Sequence, residues 1–172
     1  LLYRPYVRAS LDLRRYRPLR SGTVLAGKLQ LGAAHPIGQP DVIPFDRRFY
    51  SGGANSVRGW PLRGLGPGRL QLTDNLDGTN LLGGEVKLEA SLELRQRLLR
   101  RVLAADWLGP VFTDAGNVWL GPRNPGPEAG HFRLGRFFQD LGWGGGVGLR
   151  LAWEYLIIRL DVAYRLHDPA RP

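Results

Sequence analysis

Residues 85–95 read Glu85-Val86-Lys87-Leu88-Glu89-Ala90-Ser91-Leu92-Glu93-Leu94-Arg95. Successive side chains of a β-strand point to opposite faces, so Val86, Leu88, Ala90, Leu92 and Leu94 share one side. Glu85, Lys87, Glu89, Ser91, Glu93 and Arg95 share the other. At helical spacing the same residues would mix round the circumference, with no face to bury. This is a strand with one apolar and one heavily charged face.

The same alternation recurs on either side. Residues 3–16 set Val7, Ala9, Leu11 and Leu13 against Arg4, Arg8, Ser10, Asp12 and Arg14. Residues 23–33 carry Leu25, Leu29 and Leu31 opposite Lys28 and Gln30. Residues 102–119 set Leu103, Ala105, Trp107, Val111, Thr113 and Ala115 against Asp106, Phe112 and Asp114. Residues 143–154 and 157–166 repeat it, with Arg150 and Glu154, then Arg159, Asp161 and Arg165, on the polar side. The reading is all-β: an antiparallel meander, one domain over 1–172. Its connections alternate in length, with short basic turns near 17–22, 96–101 and 154–156. Long Gly/Pro-rich loops occupy 34–83 and 120–142. Tight turns on one side and long loops on the other are the habit of a transmembrane outer-membrane β-barrel.

Composition agrees and excludes alternatives. The chain has 172 residues, 43% of them hydrophobic, and no apolar run long enough for a membrane-spanning helix. Having no Cys, it has no disulfide, thiolate metal site or Cys nucleophile. It also contains no Met, even at position 1, so a processed or excised part of a longer chain is expected. The net charge of +9 comes almost wholly from arginine, Lys28 and Lys87 being the two lysines. Those arginines interleave with Asp and Glu on the polar faces. A phosphate-tracking surface would present them without acids between, so nucleic acid is not an expected partner.

A soluble barrel shows the same alternation turned inside out, and the tryptophans discriminate. Trp107 and Trp119 share the apolar parity twelve residues apart, about 30 Å along the normal of a tilted strand. Trp143 and Trp153 bracket the next strand, roughly 25 Å apart by the same arithmetic. Two aromatic girdles a bilayer apart are what interfacial anchoring requires. Six strands fall short of the eight that a closed membrane barrel needs, so flanking strands or partner subunits are expected to complete it. If Leu92 faces lipid, an arginine there is costly, whereas one at Ser91 on the polar face is expected to be tolerated.

Within the first long loop stands Phe49-Tyr50-Ser51-Gly52-Gly53-Ala54-Asn55-Ser56-Val57-Arg58-Gly59-Trp60. Gly52, Gly53 and Gly59 allow sharp turns, and Arg58 is isolated between Val57 and Gly59. A solvated loop-tip arginine is the plain alternative to a functional one. The stretch resembles the signature of the bacterial surface-antigen superfamily of outer-membrane assembly factors, the BamA/TamA-like proteins and their two-partner secretion relatives. The resemblance continues through LGPG at 65–68, EASLELR at 89–95, FTDAGNVW at 112–119, GGGVGLRL at 144–151 and IRLDVAYRLHDP at 158–169. In detail it is nearest the TamA/TamL branch.

The resemblance implies the later strands of a barrel of about sixteen, roughly the tenth to the fifteenth, without the periplasmic POTRA domains that precede it. It implies a functional loop motif of Gly52, Gly53, Ser56, Val57, Arg58, Gly59 and Trp60, folded into the lumen. Glu93 and Asp114 would receive Arg58, and both fall independently on the polar face. The function implied is assembly or insertion of outer-membrane proteins, or translocation of protein or lipid, in a Gram-negative-type outer membrane. A secretion transporter or passive pore is the alternative. The bilayer and client proteins are the partners implied, with POTRA domains, accessory subunits or a second copy beside them. No cofactor, metal or enzymatic step is expected: His35, His131 and His167 lack ligand spacing, and Ser56 has no evident base. The glycines of 142–148 precede a strand and not a helix, so they form no phosphate loop, and their parity leaves lumenal room for the loop. Asp74, Asn75, Asp77 and Asn80 are ordinary turn formers.

Overall fold

The computed structural model describes residues 5–38, 43–70 and 83–171. Asp74, Asn75, Asp77 and Asn80 lie outside these. Six strands follow in chain order: β1 Tyr6–Arg20, β2 Thr23–Pro36, β3 Val86–Val102, β4 Ala105–Trp119, β5 Gly142–Ala152 and β6 Ile157–His167. They form one antiparallel sheet in the order β1-β2-β3-β4-β5-β6. Every neighbour in space is a neighbour in sequence, and the sheet is not closed among the described residues.

The ladder register stacks like faces. One row runs Leu25, Leu94, Val111, Val147, Val162, and all its strand neighbours match in the pairing. This face is open: Leu92, Val111, Val147 and Leu160 are each exposed by about half. The opposite face is the buried one, an inversion of a soluble sheet. Glu89, Glu93, Phe112 and Asp114 are all buried there under the first long loop.

Two boundaries differ most from the sequence reading. The strand through 85–95 does not stop at a basic turn over 96–101. It continues to Val102, with Gln96 opposite Gly109 and Arg97 opposite Leu108. The reversal comes at Leu103 and Ala104, both at positive φ. Charged residues remain in the ladder because this end of the sheet is exposed and their heads stay solvated. Similarly, β1 extends to Arg20, beyond the turn expected from residue 17.

Candidate functional site

The first long loop returns across the polar face of the sheet. Its ends are pinned by bridges between Phe49 and Gly84 and between Ser51 and Leu65. Gly52, Gly53 and Gly59 have φ of 99°, 106° and 101°, a region open to glycine and strained for other residues. These turns bring the Gly53 amide to the Trp60 carbonyl at 3.1 Å. Val57, Trp60 and Leu65, all buried, pack into a small apolar cluster that stiffens the excursion. Ser56 accepts from the Gly52 amide at 2.9 Å and donates to Glu89 on β3.

Arg58 occupies the tip and is 6% exposed. Its Nε and Nη2 donate to Asp114 Oδ2 and Oδ1 at 2.6 and 2.9 Å, a two-point fork onto one carboxylate. The Arg58 amide also donates to Asp114, at 3.1 Å. Nη1 reaches Glu93 at 3.0 Å and Asp161 at 3.4 Å. Below the guanidinium lies the Phe112 ring, 3.3 Å from its carbon to the ring centroid. One loop side chain thereby engages acids on β3, β4 and β6 and an aromatic face on β4.

Surrounding groups complete the charge balance. Glu93 also accepts from Arg95 at 2.7 Å and Arg150 at 2.5 Å, and Asp161 from Arg159 at 2.9 Å. Ser91 donates to Asp114 Oδ1 at 2.6 Å. Burial opposes the Arg58 charge, but the hydrogen bonds and charges of Asp114 and Glu93 outweigh it and hold the guanidinium above its usual value. The loop backbone is gripped too: Lys28 and Lys87 donate to the carbonyls of Asn55 and Tyr50, and Arg165 to that of Gly59 at 2.9 Å. The arrangement immobilises a loop against a sheet.

The structure brings Arg58 together with Glu93 and Asp114, the pair named from the sequence. Asp161, Ser91, Phe112 and Arg150 also belong to the cluster. Asp161 and Phe112 carried a signal in their polar-face parity, and Phe112 was the odd aromatic among charges. Ser91 is not the free polar-face position expected, because its hydroxyl is spent on Asp114. An arginine there would displace part of the Arg58 site.

Of the four tryptophans expected in the aromatic girdles, Trp143 is about half exposed on the outer face, its Nε1 bonded to Thr113. Trp107 and Trp153 are half-buried near the tight turns, with Nε1 donating to the carbonyls of Val102 and Leu103. Trp119 departs from expectation. Its parity is right, but it is wholly buried, stacked on Phe137 at 6.1 Å and edge-on to Phe132 at 5.4 Å. The second long loop folds over it, so it cannot be an outward-facing girdle residue. Phe132, Leu134 and Phe138 of that loop are exposed instead.

An open antiparallel meander, apolar outside and ion-paired within, with a loop clamped to its inner face, is the wall segment of an outer-membrane-type β-barrel. Residues 4–171 match the model of the Omp85 superfamily domain, and the chain belongs to that family. Over 92 residues it is 35% identical to the outer membrane protein assembly factor BamA of Neisseria meningitidis serogroup B, covering 54% of this chain and 11% of that protein. The solved structure of BamA from Haemophilus ducreyi lacking POTRA domains 1-3 superposes with a TM-score of 0.72 at 22% identity. That match covers 95% of this chain and 32% of the other. The chain thus spans a minor part of both proteins. Both are BamA proteins, and neither is of the TamA-like branch that the motif details favoured.

Proposed function

We propose that this chain is part of an outer-membrane barrel that assembles or inserts other outer-membrane proteins, with the Arg58 loop as its internal brace. The observation that carries the reading is the clamp: a buried arginine shared among three strands, in a family whose named relative is an assembly factor. A barrel that offers a strand edge to a client must open locally without collapsing. A loop tied across β3, β4 and β6 keeps that part of the wall as one body. The half-exposed apolar rows and the tryptophans at Trp107, Trp143 and Trp153 suit a bilayer.

The test is complementation in a Gram-negative host depleted of its own copy. Arg58→Ala in the full-length protein should lower the amount of folded client barrels while the protein itself reaches the membrane. Normal client levels with Arg58→Ala would overturn the brace. A large steady conductance of the wild-type protein in planar bilayers would favour a secretion channel or pore instead.

A further inference from the structure

The apolar outer face does not end level across the sheet. On β1 its unbroken run stops at Leu13, whose ladder row continues through Leu29, Ala90 and Ala115. On β6 it persists to Ile158, whose row holds Leu151 and Trp107, eight residues lower on β4 (107 against 115). Strands tilted by about 40° and spaced about 4.8 Å apart drop about 3 Å per strand, so an oblique lower border is what a horizontal membrane plane traces. Below that border on β1 come Arg15 and Arg17, both on the outer face and both exposed.

These two arginines differ from the paired arginines of the inner face and its docked loop. Among the described residues, neither has an ion-pair or hydrogen-bond partner, whereas the inner-face arginines 14, 58, 95 and 159 are all paired. Beside Arg15 the ladder places Gly27, and a Cβ there would meet nothing within 4 Å. The result is a cavity of about 490 Å³ with Gly27 as floor, Leu13 and Leu29 above it and Arg15 at its lip. Leu92 stands on the far side of Gly27.

We propose that this notch is a binding site for one anionic phospholipid of the leaflet on the tight-turn side. Arg15 and Arg17, about 7 Å apart on one strand face, converge on the phosphate-bearing headgroup. The first acyl methylenes lie over Gly27 against Leu13, Leu29 and Leu92. Each arginine lays its stem on the apolar rows and delivers its head to the border. The site rests on the membrane reading given above.

The experiment places a photo-crosslinking benzoylphenylalanine at Leu29 of the full-length protein, in vesicles of equal phosphatidylcholine and phosphatidylglycerol. Mass spectrometry then counts the lipid captured, with a crosslinker at Leu160 on β6 as the distant control. Phosphatidylglycerol should exceed phosphatidylcholine at Leu29 by at least about fivefold, the factor that a single arginine at a charged surface supplies, and not at Leu160. Arg15→Gln with Arg17→Gln should bring the ratio to unity. About 1 M salt should do the same for the unmutated protein, which keeps the test valid if the variant misfolds. Equal capture of both lipids at Leu29, or a preference that survives the double substitution, overturns the site. Capture of no lipid at either position would instead sink the membrane reading.

Discussion

A Cβ placed on Gly144 would stand 2.3 Å from the carbonyl oxygen of Arg58. The loop tip therefore lies against β5 at a separation that only glycine permits. Gly144→Ala should push the tip off the sheet and cost about 1–3 kcal/mol, as overpacking does. Gly27→Ala, where an added methyl meets nothing, should stay within about 0.5 kcal/mol. Thermal unfolding of the two variants, read by the heat-modifiable band shift of the barrel, compares them directly.

Removing Arg58 leaves Asp114 buried without its fork, so Arg58→Ala should destabilise by about 3–5 kcal/mol. Arg58→Lys keeps the charge but cannot make the two-point contact, and should recover only part of the loss. Denaturant titration of Arg58→Ala, Asp114→Ala and the double variant measures the coupling. Strictly additive costs would show that the pair carries no shared energy.

Leu92 is 49% exposed on the outer face, with Leu29 and Ala90 in the adjoining row. Leu92→Arg should cost about 2–4 kcal/mol in a bilayer, whereas Gln30→Arg on the inner face should cost far less. Refolding yields into vesicles report the difference. Equal costs would contradict lipid contact at Leu92.

Asp140, in the short helix α1 (Phe137–Asp140), is fully buried; burial pushes its carboxyl up, more than Arg136, Trp119 and Arg69 pull it down. The folded state thus binds this proton more tightly than the unfolded chain does. Its contribution to stability is complete below the ordinary value of 3.8 and is lost as pH rises through the raised folded value. Asp140→Asn should therefore remove a decline in melting temperature above pH about 4. An unchanged pH profile in the variant would refute it.

Much of the fold was legible because alternation is a local property. Which face of 85–95 turned outward followed from its own residues, and so did the inward placement of Glu93 and Asp114. What escaped the sequence depends on distant chain. Trp119 has the outward parity, yet Phe132 and Phe137 from a later loop cover it. Asp161 showed only that it pointed inward; nothing near it in sequence told that Arg58 would reach it. The β3–β4 reversal was misplaced for a different reason. Leu103 and Ala104 are poor turn formers, and their positive φ is imposed by the ladder on either side.

The three acids that hold Arg58 lie 35, 56 and 103 residues away along the chain. Hairpins close over short separations, while this contact needs β3, β4 and β6 already side by side before its entropic cost is repaid. The clamp accordingly closes only on strands that have already paired. A chain whose β5–β6 hairpin has gone astray presents Arg58 with an incomplete socket and an unsatisfied tip. The loop thus reports on its own wall, seating firmly only when the strands are in register.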